Sequence, residues 1–153
     1  MKKITILLFI SFIACNNSKP LKIYQGEVYI KLVDVGSLYG APKNVIEKIK
    51  NSSKDSIYDK KHKDTNAKYF ENLINYGLID RPYFKLKFSK DEIVNVFTNE
   101  INYKKVKPII DSLNRDTEKI IIKFKGVKKD KSIYYTEDII SINKVSGKTD
   151  WEK

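Results

Sequence analysis

Apolar side chains recur at every second position in several separate runs of this 153-residue chain, and that period of two most limits what it can fold into. The clearest run is residues 83–88. Phe84, Leu86 and Phe88 fall on one face, and Tyr83, Lys85 and Lys87 on the other. Ser89 to Glu92 reads as a turn and residues 93–97 as a return strand, which makes a hairpin. Residues 118–125 place Ile120, Ile122 and Phe124 on one face, and Gly126 ends or bulges that strand. Residues 128–132 turn the chain. Residues 133–145 form a last strand, bent near Glu137 and Asp138. Upstream, residues 27–35 read as a long first strand with Val28, Ile30 and Leu32 on one face, broken or bent by Gly36 and Gly40.

Three segments follow a helical period instead. Pro42 suits a first helical turn, and Val45, Ile46 and Ile49 share a face. After a polar loop over residues 51–66, Phe70, Leu73 and Ile74 mark a second helix. Gly77 is its predicted stop, with apolar Leu78 next to it. In the third helix Asn99 or Asn102 is the cap, and Val106, Ile109, Ile110 and Leu113 make the apolar face. Pro108 lacks a backbone donor and is expected to kink or restart this helix.

With residues 41–80 set aside as a two-helix insertion after the first strand, the order is β-β-β-α-β-β. The run Lys119-Ile-Ile-Ile-Lys-Phe-Lys-Gly126, a lysine-rich turn and Tyr134-Tyr-Thr-Glu-Asp-Ile-Ile-Ser-Ile142 look like the last two strands of an OB-fold. The domain, residues 24–145, thus resembles that five-stranded barrel. The fold class expected is mainly β, a β-barrel of OB-like order. An α+β sandwich with the same element order is the alternative.

The N-terminus carries a second resemblance. Lys2 and Lys3 precede an apolar run, Ile4 to Ala14, broken only by Thr5 and Ser11. The run has the length of a secretory signal's apolar core and is too short to span a bilayer as a helix. It ends at Ala14 and Cys15, the only cysteine. This resembles a bacterial lipoprotein signal, whose lipobox ends in a small residue followed by cysteine; Phe12 stands where that family usually has leucine. The resemblance implies a signal peptide of residues 1–14 and alkylation of the Cys15 thiol by diacylglycerol. Cleavage before Cys15 and acylation of its new amino group follow. Two or three acyl chains hold a membrane stably, where one holds only marginally. An ordinary cleaved signal, or a signal anchor, is the competing reading. Residues 15–23 would be a polar tether, and residues 146–153, with the sole tryptophan Trp151, a polar tail.

Without a second cysteine no intramolecular disulfide forms, so the apolar core must carry stability. The formal charge of +11 would suit nucleic acid, anionic lipid or acidic polysaccharide. Only Arg81 and Arg115 are arginines, however, so the side chain suited to bidentate phosphate contact is scarce and nucleic acid is disfavoured as a partner. A general lysine, asparagine and isoleucine bias explains much of the charge.

Chemistry is sparse. His62, the single histidine, lies among lysines, and with one cysteine it completes neither a zinc site nor a catalytic triad. Asp91 with Glu92, Glu137 with Asp138, and Asp150 with Glu152 sit at turns or a terminus, and no spacing pairs them as acid and base. No phosphate-binding loop or EF-hand pattern occurs. No cofactor or metal is called for. The candidate binding surface is Tyr83, Lys85 and Lys87, with Tyr134 near them, because aromatics and lysines on the second and third strands of an OB-fold contact nucleic acid or sugar. The plainer reading makes these side chains ordinary solvent-facing strand residues. Gly36 to Gly40 is a binding loop or simply the bend out of the first strand. The expectation is a non-catalytic envelope binding or structural module, lipid-anchored to a membrane on its periplasmic or surface side. Its partners would be the membrane and an envelope protein or glycan. A carboxylate hydrolase and an OB-type nucleic-acid or glycan binder are the alternatives.

Overall fold

A computed structural model describes residues 20–31, 36–52, 65–149 and 151–152. Cys15 and His62 lie outside the described residues. The elements are β1 (Lys22–Val28), β2 (Ile30–Lys31), α1 (Lys43–Ser52), α2 (Thr65–Asn75), β3 (Tyr83–Ser89), β4 (Glu92–Thr98), α3 (Glu100–Asp111), β5 (Glu118–Asp130), β6 (Ile133–Ser146) and β7 (Trp151–Glu152).

Five strands close into a barrel in the order β1-β3-β4-β6-β5. All neighbours are antiparallel except β4 and β6, which run parallel from Asn95↔Ile133 to Thr98↔Thr136. β1 closes the ring. It pairs with β5 from Lys22↔Gly126 to Glu27↔Ile121, then leaves it for β3 at Glu27↔Lys87 and Val28↔Leu86. Gly26 stands at this crossing, where a Cβ would lie 2.7 Å from Phe88 Cδ1 and 3.0 Å from Leu86 Cβ. Mainly β, with a helix between the third and fourth barrel strands and a two-helix insertion after the first, the chain has the OB-like order expected.

The first strand sits earlier than its apolar run suggested. Residues 27–35 were expected as the strand, whereas β1 begins at Lys22 and stops at Val28, with only Ile30–Lys31 beyond it among the described residues. Lys22 and Ile23 therefore belong to the barrel and not to the tether. Tyr24 turns into the core beside Val28, while Gln25 and Gly26 hide the alternation from a hydropathy reading. β5 likewise runs past Gly126, which is a bulge site: Lys125↔Asp138 is followed by Gly126↔Thr136, leaving Glu137 unpaired. A second shift leaves Ile140 unpaired and 44% exposed. These are the bends expected near Glu137 and Asp138. The Thr136 hydroxyl fastens the first one, donating to the Lys125 carbonyl at 2.7 Å and accepting from the Asp138 amide at 3.0 Å.

Phe84, Leu86, Val94, Val96, Ile120, Ile122 and Phe124 fill the barrel. α3 plugs one end with Val106, joined by Leu113 just past its end, and half-buried Ile109 and Ile110 pack beside them. Asn99 is its cap, accepting from the Asn102 amide at 2.8 Å. Asn102 is buried and donates from Nδ2 to the Glu137 carbonyl at 2.9 Å. Pro108 does not restart the helix, which is one element through Asp111. Only its last turn follows the missing donor.

The chain end is tied to this same end of the barrel. Thr149 is buried, its hydroxyl donating to the Glu118 carbonyl at 2.5 Å and its amide to the Arg115 carbonyl at 2.9 Å. β7 then runs parallel to β2, Ile30↔Trp151. At the opposite end lie the start of β1, the β3–β4 turn and the β5–β6 turn, because β1 and β3 are antiparallel and β4 and β6 are parallel.

Candidate functional site: an outer face closed by the insertion

The outer face of β3 and β4 carries Tyr83, Lys85, Asn95 and Phe97. The insertion sits on it. Leu73, Leu78 and Ile79 form a second core with Phe97 and Ile133, and Leu38, Ile46, Tyr69, Phe70, Tyr83 and Tyr135 pack around them. β4 is consequently buried on both faces from Val94 to Thr98. α2 ends as its sequence predicted: Gly77 has φ +67, the Leu78 amide reaches the Leu73 carbonyl at 2.8 Å, and the Gly77 amide reaches the Ile74 carbonyl at 3.0 Å. That cap turns Leu78 and Ile79 inward.

A polar chain stitches the insertion to the strands. Lys85 Nζ donates to Asn95 Oδ1 at 2.9 Å, and Asn95 Nδ2 donates to the Tyr69 hydroxyl at 2.8 Å. That hydroxyl donates to the Gly36 carbonyl at 2.8 Å, and the Gly36 amide donates to the Tyr83 hydroxyl at 2.8 Å. Tyr83 also stacks on Phe97 with centroids 5.4 Å apart.

The four residues of the proposed binding surface are therefore separated. Tyr83 and Lys85 stay together but hold the insertion. Lys87 lies further along, lining a shallow groove of about 300 Å³ with Gln25, Gly26, Glu27, Phe88 and Ser89. Tyr134 is not on this surface. It is 2% exposed and points into the barrel, edge-on to Tyr24 at 4.9 Å and to Phe88 at 5.2 Å. Two adjacent tyrosines must point to opposite faces of a strand, and Tyr135 takes the outer one. Near Lys87, Glu27 Oε2 accepts from Lys119 Nζ at 3.0 Å, and Glu27 Oε1 is buried with no partner among the described residues.

A second groove of about 270 Å³ opens where β2, the start of β3 and α3 meet. Tyr29, Lys31, Tyr83, Lys85, Tyr103 and Lys107 are on its walls, over Val28 and Phe84. Tyr103 is met edge-on by Tyr39 at 5.4 Å. Burial pushes the Tyr103 hydroxyl above its ordinary pKa, with nearby Lys107 opposing. Lys107 pairs with Asp111 at 2.5 Å, which raises its own pKa. Rings and ammonium groups side by side can hold a sugar or an anion without covalent chemistry. Among the described residues no three His, Cys, Asp or Glu side chains converge as metal ligands.

The polar stitches escaped the sequence reading. Asn95 was the available signal, an amide in mid-strand between valines. Tyr69 precedes the apolar stripe of α2, and nothing marks it. Tyr103 and Lys107 come from α3, and only the folded chain brings them to β2.

Neither a family model, nor a curated protein, nor a solved structure matches the chain. No helix among the described residues is long and apolar enough to cross a membrane.

Proposed function

We propose that the chain is a lipid-anchored protein of a bacterial envelope, held by Cys15, with a barrel that serves as a non-catalytic binding or structural module. The Ala14-Cys15 junction after a signal-length apolar run carries this reading. It is supported by how soon the barrel follows, since β1 begins at Lys22. A mass spectrum of the mature N-terminus tests the anchor. Cys15 bearing diacylglycerol is expected, and a Cys15→Ser chain should no longer fractionate with membranes. An unmodified Cys15 at the mature start, or cleavage elsewhere, removes the proposal.

A more specific reading is an envelope glycan or another anionic ligand in the Tyr29–Lys31–Tyr103 groove, favoured by its tyrosines and lysines. The insertion covers the outer β3–β4 face that would otherwise present Tyr83 and Lys85, which moves any such ligand to the groove's open side. Titration of the protein with an anionic oligosaccharide, in parent and Tyr103→Ala chains, tests it. Binding unchanged by the substitution would rule the groove out.

A further inference from the structure

We infer that the barrel stands on the bilayer by one end, the end bearing the start of β1, the β3–β4 turn and the β5–β6 turn, and that an anionic lipid surface is what this end contacts. The inference rests on the Cys15 anchor. Three observations meet there. Leu21, just before β1, and Ile23, near its start, are 59% and 60% exposed, and Ile93 beside the β3–β4 turn is 38% exposed. Lys22, Lys90, Lys125, Lys128 and Lys131 are exposed at the same end, against the exposed carboxylates Asp91, Glu92, Glu137 and Asp138. Half-buried Asp130 accepts from Asn72 Nδ2 at 2.9 Å and from the Lys131 amide at 2.7 Å. Finally, the covalent chain is short: Leu21 follows Cys15 by six positions, a reach of about 20 Å at full extension.

Each observation alone is ordinary. Together they select a surface. An acyl-bearing Cys15 forces this end to within about 20 Å of the headgroups. That limit lets this end come down onto the headgroups, where exposed aliphatic side chains enter the interfacial region and lysines lie within a Debye length, about 8–10 Å, of an anionic leaflet. The far end carries α3, the buried Thr149 and the tyrosine–lysine groove. Standing this way, the protein would present its groove away from the membrane.

The test uses the full-length, processed chain in vesicles of three parts phosphatidylcholine to one part phosphatidylglycerol. A thiol is introduced at the near end (Ile23→Cys) or, in a second chain, at the far end on α3 (Lys105→Cys), and labelled with a fluorophore. Alkylated Cys15 does not take the label. With brominated lipids, the label at position 23 should be quenched at least threefold more than that at position 105, and the difference should shrink in phosphatidylcholine alone. Equal quenching at both positions in a chain that floats with the vesicles would overturn the orientation and leave the anchor standing. It is also the result expected if a protein partner, not lipid, covers this end. A parent chain that labels at Cys15 and fails to float removes the anchor, and the orientation with it.

Discussion

The ring of Tyr83 lies so close on Gly36 that the Gly36 amide donates to its hydroxyl at 2.8 Å, and a Cβ on Gly36 would fall 2.2 Å from Tyr83 Cζ. One residue without a side chain thus lets the start of the insertion reach the barrel strand. Tyr83 has little room to yield, because its other face stacks on Phe97, itself fully buried. Gly36→Ala should therefore cost about 1–3 kcal/mol, the range for overpacking a well-filled site. The loss should show in the insertion first. Amides of α2 are expected to exchange faster with solvent than in the parent, while those of β5 keep their protection. An unchanged urea midpoint with unchanged α2 exchange would mean the contact is not what holds the insertion.

Tyr134 and Lys87 distinguish a core from a surface. Tyr134 packs against Tyr24, Phe88 and Phe124, with ring centroids 4.9, 5.2 and 6.4 Å away. Tyr134→Ala should cost about 3–5 kcal/mol, as removal of a large buried ring does. Lys87→Ala should cost less than about 1 kcal/mol, since a half-exposed lysine contributes little. Urea midpoints of the two chains provide the check. Comparable losses would contradict the inward placement of Tyr134.

Tyr135 predicts a pH dependence. Burial, then its hydrogen bond to Glu137, pushes its hydroxyl up to about 12, with Arg81 acting the other way. A folded-state pKa above the unfolded value near 10 means the folded chain keeps that proton longer. The resulting stabilisation is complete below pH 10 and is lost as pH rises through 12. Tyr135→Phe removes the titration, so its stability should fall less than the parent's between pH 10 and pH 12. Glu137→Gln should move the phenol down only part of the way, because burial is the larger cause. Urea midpoints of the parent and Tyr135→Phe chains across pH 9 to pH 12 read the first effect, and ultraviolet difference titration of Glu137→Gln against the parent reads the second. A parent and Tyr135→Phe chain that lose stability in parallel would refute the assignment.

The alternation of β3 with β4 and of β5 with β6 was legible in the sequence because each strand faces a filled barrel on one side. So was the α2 stop at Gly77, where a left-handed residue is needed. The start of β1 was not, since Gln25 and Gly26 interrupt its pattern and its pairing with β5 is set from about a hundred residues away. The outer β3–β4 face misled for a related reason. Tyr83, Lys85 and Asn95 look solvent-facing in any local window, and only the distant α2 reveals that they are covered. Tyr134 and Tyr135 are adjacent and identical. Which of the two faces inward depends on the register of β6 against β4 and β5, a non-local property.

Barrel closure depends on the crossing at Gly26. Only two residue pairs join β1 to β3, while six join it to β5, so the β3 side is the weaker seam. Leu86 Cβ, 3.0 Å from where a Gly26 Cβ would stand, is fixed to the backbone, whereas Phe88 Cδ1 at 2.7 Å belongs to a ring that can turn. Gly26→Ala should therefore destabilise by about 1–3 kcal/mol, and a smaller residue at position 88 should relieve only the ring's share. The Tyr29 amide, which reaches the Lys85 carbonyl across this seam at 3.0 Å, should lose exchange protection before amides bonded between β1 and β5. In a double-mutant cycle, Gly26→Ala with Phe88→Leu should lose less than the sum of the two single changes. Strict additivity would show that Phe88 does not resist the added methyl, and a Gly26→Ala chain as stable as the parent would mean that β1 crosses to β3 without needing the missing side chain.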